Sequence, residues 1–105
     1  MAQRKRTVEK RVIDLLKRIT GVFGPSSFEG DVRKLFRKEV KGYADDVCTC
    51  GLGSIIARKK GSAASPKIMI AGHMDEVGFM VRGITKKGYI KFNTIGGWWG
   101  HVVLG

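Results

Sequence analysis

Apolar residues fall at Val8, Val12, Leu15, Leu16 and Ile19, the i, i+4, i+7, i+8 and i+11 spacing that lines one stripe of an α-helix. Lys10, Arg11, Lys17 and Arg18 occupy the other faces, and Thr20-Gly21, then Gly24-Pro25, supply a stop and a break. Ser26 with Glu29 three residues on has capping-box spacing, in which each side chain satisfies a backbone donor at a helix start. The pattern therefore predicts a second helix from Ser26, with Phe28, Val32, Leu35 and Phe36 as its stripe and an end near Lys41-Gly42.

The period then shortens. Val47-Cys48-Thr49-Cys50 and Ser54-Ile55-Ile56-Ala57 are β-prone runs separated by Gly51-Leu52-Gly53, which predicts a hairpin. Residues 59–66 form a basic, then small-residue loop. Lys67-Ile68-Met69-Ile70-Ala71 is continuously apolar after its lysine, the pattern of a strand buried on both faces, and it runs into Gly72-His73-Met74-Asp75-Glu76. Gly78-Phe79-Met80-Val81 and Tyr89-Ile90-Lys91-Phe92 flank Lys86-Lys87-Gly88, a second hairpin with glycine at the left-handed turn position. Gly96-Gly97-Trp98-Trp99 and Val102-Val103-Leu104 lead to Gly105 with no polar tail, so further sequence is expected beyond it. No internal repeat or low-complexity tract interrupts these segments.

Composition narrows the class. The 105 residues leave room for one domain at most. At 43% apolar and 28% charged the chain is too apolar for a disordered tail. Its 15 glycines are about twice the usual share of roughly 7%, implying turns and close backbone approaches. The two cysteines, Cys48 and Cys50, are neither a disulfide framework nor a four-ligand zinc set, which favours a reducing compartment. Two thiolates on one strand face could ligate a soft metal, but they are half a site, and packing is the favoured reading. Met1-Ala2-Gln3-Arg4-Lys5-Arg6 resembles the head of a signal peptide without the apolar core that should follow, and no apolar run reaches membrane-spanning length. A cytoplasmic protein, away from membranes, is expected.

The net charge of +11 raises a nucleic-acid reading, carried by Arg4-Lys5-Arg6, Lys17-Arg18, Arg33-Lys34, Arg37-Lys38 and Arg58-Lys59-Lys60. These groups spread over several elements, and Phe28 and Phe36 belong to a helix stripe instead of interleaving with the charges as stacking platforms. A nucleic-acid partner is therefore disfavoured.

His73 and Asp75 carry the chemistry. On an extended backbone, residues two apart point to the same face, while Glu76 points to the other. A neutral imidazole can bind a divalent metal through one nitrogen while the second donates to a carboxylate that fixes its tautomer. Asp75 is placed either to orient His73 or to join the outer shell of the metal, at the carboxyl end of a strand where ligand sites of open α/β sheets lie. His101, between Gly100 and Val102, has no acidic or thiol neighbour and reads as a loop or strand histidine.

Ile70-Ala71-Gly72-His73-Met74-Asp75-Glu76-Val77-Gly78-Phe79-Met80-Val81 resembles the strand-end signature of the di-metal glutamyl aminopeptidases, the self-compartmentalising TET-type and deblocking aminopeptidases. Gly24-Pro25-Ser26-Ser27-Phe28-Glu29-Gly30 is similar to that family's Gly-Pro-Ser-Gly-x-Glu segment. Gly51-Leu52-Gly53-Ser54-Ile55-Ile56-Ala57 is similar to its Asp-Gly-x-Gly-Asn-x-Ile-Ala hairpin, and Gly96-Gly97-Trp98 to a segment of its second domain. The four segments occur in family order. Cys48, Cys50, Ser54 and Trp99 depart from the usual residues, and the positive charge is unusual for the family.

The resemblance implies an α/β fold, the start of an α/β/α zinc-peptidase catalytic domain over residues 1–77. The opening hairpin of an inserted β-rich, PDZ-like dimerisation domain would then occupy residues 78–105, both portions being incomplete. It implies an exopeptidase that removes amino acids from peptide N-termini with two divalent metal ions, zinc or cobalt, and that assembles into a hollow homo-dodecamer. His73 matches the first metal ligand and Asp75 the acid that supports it in catalysis. The bridging aspartate, general-base glutamate, remaining carboxylates and last histidine of the family would follow Gly105, so these 105 residues alone are expected to be inactive. The other functional classes are a basic nucleic-acid-binding domain and an inactive remnant or interaction module.

Overall fold

The computed structural model of the chain describes the backbone of residues 2–104 and the side chains of residues 8–104. The expectations resting on the side chains of Arg4, Lys5 and Arg6 and on Gly105 fall outside the described residues. Helix α1 covers Ala2–Thr20 and helix α2 Gly30–Val40. Two antiparallel hairpins follow, β1 (Asp46–Thr49) with β2 (Ile55–Arg58), and β3 (Gly78–Ile84) with β4 (Ile90–Ile95). A single 3-10 turn at Gly100–Val102 comes last. The chain is thus a small α/β structure of two helices and two hairpins.

Helix α1 starts at Ala2, ahead of the first apolar position of its stripe, because Gln3, Arg4, Lys5 and Arg6 are all good helix formers. Helix α2 starts four residues later than its capping box predicts. Ser27 sits at φ 74°, in the left-handed region, so the backbone cannot be helical there. Half of the box survives in shifted form: the Ser27 amide donates to Glu29 Oε1 at 2.7 Å, while the Ser26 hydroxyl is engaged elsewhere. Phe28 consequently lies in the turn before α2, its amide donating to the Pro25 carbonyl at 2.8 Å.

Both hairpins form where the period-2 pattern places them. Cys48 faces Ile56 across the first ladder, and Gly53 at φ 89° closes its turn. In the second, Gly88 takes φ 84°, and a bulge between Val81 and Gly83 shifts the register. Phe79 stacks on Trp98 with ring centroids 4.3 Å apart and meets Phe92 edge-on at 4.5 Å, while Trp98 Nε1 donates to the Gly78 carbonyl at 3.0 Å. That cluster ties residues beyond β4 back onto the start of β3. His101 lies in the 3-10 turn, not in a strand, with its ring 5.5 Å from that of Trp99.

The expected strand at residues 67–71 does not form. Ile68, Met69 and Ile70 are 85%, 89% and 95% exposed. A strand needs a ladder partner, and each pair of strands among the described residues is closed upon itself. The same lack holds across the described residues: apart from Pro25, no apolar side chain is buried. The radius of gyration is 19.1 Å, against about 13 Å for a compact domain of this length. Arg18 and Glu39 join the two helices through a bidentate ion pair. The only buried residues described are Gly24 and Pro25, where the segment before α2 meets the segment before β3.

Candidate metal centre

That meeting point holds His73 and Asp75. Pro25 and Glu76 form an isolated parallel bridge: the Glu76 amide donates to the Gly24 carbonyl at 3.0 Å, and the Gly24 amide donates to Glu76 Oε1 at 2.9 Å. The approach requires glycine at position 24, since a Cβ there would collide with the Val32 side chain on α2. Glu76 is therefore spent on the backbone of residue 24, and Asp75 is carried into reach of Ser26, whose hydroxyl donates to Asp75 Oδ2.

The other carboxylate oxygen, Oδ1, lies 3.0 Å from His73 Nδ1, and the Asp75 carbonyl lies 3.1 Å from the same nitrogen. Both partners only accept hydrogen bonds, so in the neutral ring the proton belongs on Nδ1 and the lone pair on Nε2. Nε2 has no hydrogen bond among the described residues, and the His73 side chain is 86% exposed. The Ser26 hydroxyl first, and then the His73 ring, holds the Asp75 carboxyl below its usual pKa.

A shallow cleft of about 220 Å³ surrounds the pair, walled by Glu29, by the β1–β2 turn from Leu52 to Ile55, and by residues 72–75. Arg33 fixes that wall, with Nη1 3.3 Å from the Gly53 carbonyl and 3.4 Å from Glu29 Oε2. The sequence pairing of His73 with Asp75 thus holds in three dimensions without a strand beneath it. Sequence reasoning missed Ser26 as the partner of Asp75, assigning it to a local cap, and missed Glu29 and the β1–β2 turn as walls. The only signal available was that these segments share the family resemblance of the His-Met-Asp-Glu run.

Among the described residues no three His, Cys, Asp or Glu side chains converge as a metal site. The donor chemistry nevertheless fits one position of a divalent-metal centre, namely an imidazole with a free Nε2 and a carboxylate on its other nitrogen. The thiols do not extend it. Cys50 lies beyond the end of β1, its thiol pKa lowered chiefly by the Leu52 amide, and it does not line the cleft around His73. The larger hollow, between α1 and Glu39, holds the Arg18–Glu39 pair and neither histidine nor cysteine. No helix among the described residues is long and apolar enough to cross a membrane.

Residues 53–105 match the family model described as M42 glutamyl aminopeptidase. The chain is 44% identical over 85 residues to the lysyl aminopeptidase of Pyrococcus furiosus, covering 80% of this chain and 24% of that protein. Among solved structures, the TET aminopeptidase of the marine-sediment archaeon Thaumarchaeota archaeon SCGC AB-539-E09 superposes with a TM-score of 0.78 at 44% identity, over 90% of this chain and 26% of its own. A Thermotoga maritima protein described as an endoglucanase superposes with a TM-score of 0.70 at 40% identity, over 79% of this chain and 27% of its own. The chain spans about a quarter of the length of the curated relatives it matches.

Proposed function

The chain belongs to the M42 glutamyl aminopeptidase family, and on that footing we propose that it supplies the first metal ligand, His73, and its supporting acid, Asp75, to an aminopeptidase acting on peptide N-termini. The observation that carries this reading is the 3.0 Å contact of His73 Nδ1 with Asp75 Oδ1, which leaves Nε2 free at an open cleft. Asp75 remains ionised and acts as acceptor and orienting group, so it supports the chemistry without itself attacking. Two divalent ions, zinc or cobalt, would polarise the scissile carbonyl and acidify a water when bound. In this reading residues 1–77 belong to the catalytic domain, residues 78–105 open an inserted β-rich PDZ-like domain, and the working form is a homo-dodecamer in the cytoplasm.

Two rival readings lose support. Glycoside hydrolysis needs two carboxylates free to work across one bond. In this cleft Glu29 is held by the Ser27 amide and Arg33, and Asp75 by Ser26 and His73. Nucleic-acid binding would need a continuous basic face. Arg18, Arg33, Arg37 and Lys34 are engaged by Glu39, Glu29, the Val47 carbonyl and Asp31, and Arg58 and Lys59 by Asp46 and Asp45, while Lys17, Lys38 and Lys60, which have no ion pair among the described residues, are divided between α1, α2 and the loop after β2.

A chimera tests the function: residues 1–105 replace the matching quarter of the TET aminopeptidase, and release of chromophore from amino-acid anilides is followed with zinc or cobalt added. Turnover that falls at least 100-fold with His73→Ala supports the reading. An assembled chimera without turnover, or one indifferent to His73→Ala, contradicts it.

A further inference from the structure

We propose that Ser26 is a positioning residue for the metal site: its hydroxyl holds the Asp75 carboxylate so that Oδ1 receives His73 Nδ1–H and Nε2 is presented to the metal. This rests on the reading of His73 as a ligand. The geometry is a three-residue relay. Ser26 Oγ donates to Asp75 Oδ2, and Asp75 Oδ1 lies 3.0 Å from His73 Nδ1. The two carboxylate oxygens thus have different partners, one on each side, which removes rotation about the Asp75 Cβ–Cγ bond as a freedom. A carboxylate free to turn would present either oxygen, or neither, to the imidazole, and the neutral ring would lose its bias toward the Nδ1–H tautomer.

Ser26 is itself held from two sides. Pro25 ahead of it is buried and paired with Glu76, and Ser27 behind it is locked at φ 74° with its amide on Glu29. The hydroxyl is therefore delivered by a backbone that does not depend on the hydrogen bond it makes. The double clamp between Gly24 and Glu76 ties residue 24 to residue 76 independently of Ser26 and Asp75. Removing the hydroxyl should accordingly release the carboxylate and leave the two segments joined. That separates a positioning role from a structural one.

The test uses the 105-residue chain with Ser26→Ala and Ser26→Thr. The His73 tautomer is read from long-range ¹H–¹⁵N correlation of the imidazole at fixed pH 8, alongside the Gly24 amide resonance, and Co²⁺ affinity is measured by titration. The expected result is a His73 ring mainly in the Nδ1–H form in the parent and in Ser26→Thr. In Ser26→Ala the ring shifts toward the Nε2–H form preferred by a free histidine side chain, with roughly tenfold weaker Co²⁺ binding and an unmoved Gly24 amide. An unchanged tautomer or unchanged Co²⁺ affinity in Ser26→Ala overturns the proposal. So does equal loss in both variants together with a displaced Gly24 amide, which would make Ser26 a structural residue. His73→Ala separates this from the ligand assignment. If that variant binds Co²⁺ as the parent does, the assignment of His73 fails, whatever the tautomer shows.

Discussion

Ser27 is a serine at φ 74°, a backbone position that favours glycine, in the turn that delivers Ser26 to Asp75. The Gly-Pro-Ser-Gly-x-Glu pattern that this segment resembles has glycine at that place, so the serine carries a conformational cost of about 1 kcal/mol. Ser27→Gly should return about that much, slowing exchange of the Phe28 amide, which caps the turn on Pro25, by roughly fivefold. Faster exchange in the variant would show that the gain in backbone freedom outweighs the relief. At this scale His73 and Asp75 were legible because both lie within one short run and their chemistry is local. Ser26 was not, since a capping box is a local pattern and the true partner lies 49 residues away.

Helix stripes and hairpin turns follow from periodicity within a dozen residues, and both helices and both hairpins appear where the pattern places them, apart from end shifts at Ala2 and Gly30. The apolar run at residues 67–71 does not become the strand its pattern predicts, because a strand is defined by its neighbour and no neighbour pairs with it among the described residues. The link between α1 and α2 rests on Arg18 and Glu39, whose hydrogen bond to the guanidinium holds the Glu39 carboxyl below its ordinary value of 4.5. A carboxyl with a lowered pKa contributes fully above the ordinary value and loses its contribution as pH falls through the lowered one. The Glu39 side-chain carbon resonance should therefore titrate with a midpoint below 4.5, moving back toward 4.5 in Arg18→Gln. Because Arg18 is half-exposed, the contact should also weaken with salt. A midpoint in the parent equal to that of the variant would dissolve the pair.

At the scale of the whole molecule, the described residues form helices and hairpins without a hydrophobic core, which no count of apolar residues revealed: 43% apolar composition is ordinary, yet Ile68, Met69 and Ile70 stay almost fully exposed. Burial depends on what the elements can be packed against, and that is set by long-range topology, not by pattern. The same reasoning applies to catalysis. A two-metal site needs several ligands and a base from separate segments. No acidic residue occurs after Glu76, and no cluster of three donors exists among the described residues. The 105 residues by themselves should release no detectable chromophore from amino-acid anilides with zinc or cobalt added. Turnover that vanishes in His73→Ala would mean that copies of the chain complete one another's sites.

The assignment of His73 as a metal ligand is tested most directly by following both histidines during one Co²⁺ titration of the chain by NMR. His101 serves as the internal control, being a second histidine in a 3-10 turn beside Trp99 with no carboxylate partner among the described residues. The imidazole resonances of His73 should shift and broaden at roughly tenfold lower Co²⁺ than those of His101, and Asp75→Asn should erase that difference. Equal responses from the two rings, or a His73 response untouched by Asp75→Asn, would contradict the assignment.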